Sequence, residues 1–355
     1  MTGGSVVQVG PALSLHGGIS SVERLIVENV GASIPMRHID TMEVGTTWTR
    51  LRVFARALIE LRAELRSERP LVVHVHYASR GSTVRKIILA WMTLRARRPL
   101  VLHAHGGGFD TFYTSLPRIA QRVVRNVFAR ADCFVVVSSQ WREFYAQRCG
   151  VPWNRIVVLG NPTVVPAETV DRAGRGSVQF VFLGRIGRQK GAFDVLQAFA
   201  ALSDETRASA RLVFAGDGDV DALRERATAL GDRVEVHEWI DSARRDALLE
   251  ASDVFVLPSY AEGVPMAMLE AMAHGLPVVT TAVGGIPDVV TDRQEGLIVE
   301  PGNVAELRQA MQTLIEDHSL RLALGRSART RAEQFDVADY GEQLMRIYRR
   351  LLAPS

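Results

Sequence analysis

Apolar residues recur along this chain in two rhythms. Short runs at Val6–Val9, Leu71–Val75, Leu100–Ala104 and Cys133–Val137 predict strands buried on both faces. Between them, apolar positions step by three and four, as on one face of a helix. Val22, Leu25, Ile26 and Val30 form one such face, with Ser20 or Ser21 as its cap and Gly31 at its end. Leu51, Phe54, Leu58, Leu61 and Leu65 form another, flanked by Arg52, Arg56, Arg62 and Arg66. A further helix is predicted over Leu116–Ala129.

The alternation stops at residues 162–177, where Pro, Gly and polar residues dominate as in a linker. It then restarts. Strands are predicted at Gln179–Leu183, Arg211–Ala215, Val234–Val236, Val254–Leu257 and Pro277–Thr280. The helices between them cover Ala192–Leu202, Val220–Leu230, Ser242–Ala251 and Pro265–His274. Three helices close the chain, over Val304–Asp317, Arg321–Phe335 and Val337–Leu352. The predicted class is α/β, with two Rossmann-like doubly wound domains and an interdomain cleft. The expected boundaries are 1–165 for the first domain and 177–335 for the second, with a last helix over 336–355.

Composition narrows the class. A chain of 355 residues, 47% hydrophobic and 23% charged, fits two soluble globular domains. No run approaches the ~20 apolar residues of a membrane span, and no basic-then-apolar leader opens the sequence. Cys133 and Cys149, the two cysteines, lie in no CxxC pattern, so neither a disulfide framework nor a zinc site is indicated. A cytoplasmic protein is expected. The net charge is only +3, yet Arg50 to Arg98 holds twelve Arg or Lys against three Glu. That half is expected to face an anionic membrane or an anionic acceptor, with a solvated basic face as the plain alternative. No nucleic-acid partner is expected.

Three segments of the second half carry candidate chemistry. Glu262-Gly263-Val264-Pro265-Met266 follows a predicted strand and opens a helix, with Pro265 suited to its first position. Glu262 then stands beside exposed helix amides, and Glu270 lies about a turn and a half further on. Carboxylates so placed accept hydrogen bonds from sugar hydroxyls, and the amides suit an anion. Gly184-Arg185-Ile186-Gly187-Arg188-Gln189-Lys190-Gly191 follows another strand. Its glycines allow close approach, and Arg185 and Lys190 suit a diphosphate. It matches neither the P-loop nor the GxGxxG pattern, so neither ATP nor NAD is favoured. Gly216-Asp217-Gly218 is a tight turn after the next strand.

In order and spacing, these segments resemble the retaining glycosyltransferases of the GT-B fold, family 4. That family shows a G-R-x4-K-G segment, a G-x-G turn and an E-x7-E segment, matched by Gly184-Arg185 to Lys190-Gly191, Gly216 to Gly218, and Glu262 to Glu270. The resemblance implies that Glu262 contacts the transferred sugar, Glu270 holds the ribose, and Arg185 and Lys190 hold the pyrophosphate. Loop amides at Gly263, Val264 and Met266 would face the sugar. Many members carry Phe-Gly where this chain has Val264-Pro265. In the first half, the resemblance puts Gly17 and Gly18 near the diphosphate and His105 near the reaction centre. It implies transfer from a nucleotide-sugar, UDP before GDP, to a glycan or lipid-linked acceptor. Cell-surface polysaccharide or glycolipid synthesis is the implied setting, with no metal or other cofactor.

Two alternatives stay open. One is a nucleotide-sugar-binding relative without transferase activity. The other is a metal-dependent hydrolase using His74-Val-His76 and His103-Ala-His105, since alternate strand residues share a face. No Asp/Glu ligand set accompanies those pairs. Satisfied strand-end histidines are expected at His74, His76 and His103.

Overall fold

The computed structural model describes residues 4–79, 81–105, 107–174 and 176–353. The chain divides into two compact units, one of Met1–Pro162 with Val337–Ser355, the other of Thr163–Asp336.

The first unit contains β1 (Ser5–Gly10), α1 (Gly18–Val30), β2 (Met36–Asp40), α2 (Thr47–Leu65), β3 (Leu71–Tyr77) and α3 (Gly81–Arg95). It continues with β4 (Leu100–Ala104), α4 (Phe109–Ser115), α5 (Arg118–Phe128), β5 (Cys133–Val136), α6 (Ser139–Gln147) and β6 (Ile156–Val158). Its strands form one parallel sheet in the order β2-β1-β3-β4-β5-β6. β3 and β4 are buried throughout, as continuous apolar strands under helices must be.

The structure differs from the sequence expectation at several elements. β2 carries no apolar run: only Ile39 is buried on this edge strand, so its pattern was invisible. The first helix starts at Gly18, with Gly17 as its cap at φ 145 and no side-chain cap, so Ser20 and Ser21 lie inside the helix. The helix expected over Leu116–Ala129 is α5 and starts at Arg118, because Leu116 is extended before Pro117; α4, just ahead of it, was not expected.

The second unit contains β7 (Val178–Leu183), α7 (Ala192–Ala200), α8 (Asp204–Ala208), β8 (Ala210–Ala215), α9 (Val220–Ala227) and β9 (Val234–His237). After these come α10 (Ser242–Ala251), β10 (Val254–Leu257), α11 (Met266–Ala273), β11 (Val278–Thr281), β12 (Gly296–Val299), α12 (Val304–Glu316) and α13 (His318–Ala332). The sheet order is β12-β11-β10-β7-β8-β9, all parallel. Counted from the unit's own first strand this is 3-2-1-4-5-6, the doubly wound dinucleotide-fold order, and its switch point lies between β7 and β10.

Pro265 caps α11 rather than opening it. The linker-like stretch is also more than a tether. Thr163 pairs with Asp336, and buried Arg172 donates to the Ser252 and Leu249 carbonyls. Composition marked the break, but those packed positions carry no compositional signal. α14 (Val337–Leu352) belongs to the first unit, where it packs on α1 and β3.

Candidate functional site

Three loops at the carboxyl ends of β7, β8 and β10 are laced together by backbone. Ile186 N donates to Asp217 O at 2.6 Å, and Asp219 N returns a bond to Ile186 O at 2.9 Å. Tyr260 N donates to Gln189 O at 2.9 Å. A Cβ on Gly216 would collide with the Gly184 carbonyl, and one on Gly191 with the Pro258 carbonyl, so both crossings need glycine. The Gly184–Gly191, Gly216–Gly218 and Glu262–Met266 segments thus converge on the switch point of the sheet, where ligands bind in open α/β folds.

The charged side chains meet there. Lys190 Nζ donates to Glu262 Oε1, which also accepts from Ser259 Oγ at 2.7 Å. Gly263 O accepts from Gly285 N at 2.7 Å, so the segment after β11 holds this loop in place. The pairing leaves Lys190 its two other donors, and Glu262 its second oxygen, for a ligand. Arg185 is largely exposed, its nearest carboxylate Asp217 at 3.7 Å. It is free to turn toward a diphosphate. Gly263, Val264 and Met266 are buried, at the start of α11 where first-turn amides lack helical partners.

Glu270 sits on α11 with Arg245 Nη1 of α10 at 3.0 Å. Burial pushes its pKa up, and Arg245 opposes that shift. Arg245 is a site residue that sequence reasoning missed. One arginine among several on α10 gives no signal until the fold sets it beside Glu270.

The first unit behaves differently. Gly17 and Gly18 open α1 after β1, and a Cβ on Gly17 would meet nothing, so only its φ of 145 calls for glycine. His105 follows β4; Gly106 of its glycine loop lies outside the described residues. His105 Nε2 lies 2.8 Å from His76 Nδ1, and His76 Nε2 lies 3.2 Å from Gln8 Nε2. Gln8 Nε2 also faces the Glu23 carbonyl at 3.3 Å, which can only accept, so the amide nitrogen is fixed on that side. Gln8 then donates to His76 Nε2, His76 Nδ1–H donates to His105 Nε2, and the His105 proton rests on Nδ1. Burial pushes His105 down to about 3, so it stays neutral at physiological pH.

Satisfied histidines were expected at His74, His76 and His103; His76 is satisfied, but His74 and His103 are not. His74 Nδ1 meets Tyr348 Oη at 2.6 Å, but its Nε2 has no partner, and neither nitrogen of buried His103 has one. Burial lowers His74 to about 3 and holds His76 and His103 well below the usual imidazole range.

Comparison with known proteins supplies what geometry cannot. A family model described as glycosyl transferases group 1 matches residues 177–317. A second, described as a glycosyl transferase 4-like domain, matches residues 23–162. The chain is a GT-B glycosyltransferase of the family 4 type. It is 31% identical over 253 residues to a phosphatidyl-myo-inositol mannosyltransferase of Propionibacterium freudenreichii subsp. shermanii, covering 67% of this chain and 62% of the relative. Matches to the first curated relatives span only 30 to 62% of their lengths. Among solved folds, sucrose-phosphate synthase of Thermosynechococcus elongatus aligns at TM-score 0.78 and 20% identity, over 99% of this GT-B chain and 100% of its own. HepE of Anabaena, in complex with UDP and glucose, aligns at TM-score 0.75 and 19% identity, over 97% of this chain and 98% of its own.

Proposed function

We propose that this protein is a retaining glycosyltransferase that moves a sugar from a nucleotide-sugar, UDP before GDP, to a glycan or lipid-linked acceptor. The observation that carries this reading is the Lys190–Glu262 pair at the switch point of a dinucleotide-type sheet. It sets a cation for a diphosphate beside a carboxylate for sugar hydroxyls. Family membership and the UDP in the HepE structure support the donor class. Lys190 and Arg185 would offset charge growing on the leaving diphosphate, so the transfer step is proposed to need no metal there. His105 is proposed as a neutral hydrogen-bond donor rather than a base, since its proton rests on Nδ1.

The setting we propose is cell-surface polysaccharide or glycolipid synthesis at an anionic membrane face. Neighbouring helices α2, α3 and α5 leave Trp48 81%, Ile59 70% and Ile119 74% exposed. Arg52 and Arg62 stand on α2, and Arg66 caps its end. Apolar residues among arginines suit the headgroup boundary of anionic lipid. Among the described residues no helix is long and apolar enough to cross a membrane.

The donor reading is tested by thermal shift and donor hydrolysis across UDP- and GDP-sugars with EDTA present, in wild type and Glu262→Ala. Stabilisation by one nucleotide and slow hydrolysis lost in the variant are expected. Activity that vanishes with EDTA would sink the metal-free step. Flotation with vesicles containing phosphatidylserine should recover the protein, and Trp48→Glu with Ile59→Glu should release it. Equal flotation of both proteins would remove the membrane face.

A further inference from the structure

Three imidazoles in the core of the first sheet have no account in the reaction. His74 and His76 share one face of β3, and His103 stands beside His76 in the β3–β4 register. All three are fully buried. A buried ring nitrogen without a partner costs free energy, and native cores rarely keep several together unless water or an ion joins them. Here one nitrogen from each of His74, His76 and His103 lies within 4.8 Å of the other two. Among the described residues this is the cluster of His, Cys, Asp or Glu whose ligand atoms converge so closely.

We propose that His74, His76 and His103 form a buried site for a divalent transition metal of the zinc, cobalt or nickel kind. Neutral imidazoles suit these ions, and three of them leave a fourth position for water. Tetrahedral metal–nitrogen bonds of about 2.0–2.1 Å set the nitrogens about 3.3 Å apart, so the ion would draw the three closer than they now lie. In two of the three, His74 and His76, the remote nitrogen already has the partner that a ligating histidine uses. With His74 bound through its unpartnered Nε2, Nδ1–H donates to Tyr348 Oη. With His76 bound through Nε2, Nδ1–H still donates to His105 Nε2, and Gln8 keeps its bond to the Glu23 carbonyl. The metal would thus hold the His105 tautomer in place of Gln8.

Charge can also be accommodated. The Glu23 carboxylate is buried, and its unpartnered Oε1 lies 3.8 Å from His76 Nδ1.

This site is independent of the donor reading, because its test needs no substrate. The tag-free full chain, expressed with zinc in the medium, is analysed for metal by mass spectrometry. It is then unfolded with a chelator and refolded with no metal, with Zn2+ or with Co2+. The expected result is about one ion per chain and a melting temperature several degrees higher with Zn2+. Co2+ should give the visible absorption of a tetrahedral site. His103→Leu should lose all three signals. His103→Gln covers the case in which the first variant misfolds, and exposed His237→Ala should keep them. Folded wild-type protein with far less than one ion per chain, and no response to either ion, would overturn the proposal. So would metal retained in both His103 variants, since the ion would then lie elsewhere and water would join the imidazoles. Nucleotide-sugar hydrolysis is read on the same samples. Its absence with metal bound counts against the transferase reading alone.

Discussion

The two sheets keep their polar chemistry in opposite places. In the second unit β7 and β10 are apolar inside, and Arg185, Lys190 and Glu262 stand in loops beyond the strand ends. In the first, Gln8, His74, His76 and His103 lie within buried strands, with Glu23 and Lys86 buried against them. A charge in a loop at a strand end can be changed without emptying a core. A polar group inside a sheet cannot. Side-chain substitutions in the second unit should therefore cost activity before stability, and those in the first the reverse.

Lys190→Ala is the largest test of that contrast. Removing one fixed donor from a leaving-group site typically costs 10²–10³ in turnover, about 2.7–4 kcal/mol of transition-state stabilisation. Glu262 keeps its bond from Ser259, so the melting temperature should move little. Unchanged turnover would remove the leaving-group role. A collapse of stability instead would show that Lys190–Glu262 is a structural pair.

Gly216→Ala should break the contrast on purpose. It lies in the second unit, yet its new Cβ would press on the Gly184 carbonyl and part the loops after β7 and β8. A loss of roughly 3 kcal/mol in stability is expected, together with loss of the nucleotide-induced thermal shift. Wild-type stability would mean that these loops move apart freely.

The same contrast governs what the sequence made legible. Most of the second unit was read because its signals are local, though the edge strand β12 and the short α8 were missed. Ser242–Ala251 and Val254–Leu257 were placed with their observed bounds, and each charged residue sits in a loop with its own glycines. Pro265 was misplaced by one position, since a cap differs from a first helical residue only in backbone angles. In the first unit, β2 and α3 carry no clean apolar period, and the short α4 ahead of Pro117 was missed. The histidine network was out of reach. Gln8, His76 and His103 lie on three strands, and only the β1-β3-β4 pairing gathers them. Arg245 beside Glu270 is the corresponding case in the second unit, a pair set by helix packing rather than spacing.

Lys86 gives a smaller effect, read through pH. Its amine is buried, donating to Thr41 Oγ1 at 2.6 Å and Val9 O at 3.1 Å, and burial holds it at about 7. Unfolded, it titrates near 10.4. Between these values the unfolded chain holds one more proton, so stability rises with pH. Below pH 7 the lysine is charged in both states and the full penalty applies. From pH 7 to 9 the wild type should gain about 2 kcal/mol relative to Lys86→Met in urea unfolding. Parallel curves would mean that water reaches the amine.

Arg245→Ala should give the smallest effect, and it tests whether a partly buried pair in the second unit obeys the rule of the first. Burial raises the pKa of Glu270, and Arg245 holds it back. Without the arginine the carboxyl should keep its proton at higher pH. A neutral acid accepts a weaker hydrogen bond from a ribose hydroxyl than a carboxylate does, by about 1 kcal/mol. Nucleotide affinity near neutral pH should then fall several-fold and recover as pH rises and Glu270 ionises. Glu270→Gln should bind as weakly at every pH, since it has no proton to lose. Calorimetric titration with UDP between pH 6 and 9 measures all three proteins. A loss in Arg245→Ala that does not recover with pH would make Arg245 itself the ligand contact. No loss at all would leave the ribose role of Glu270 without support.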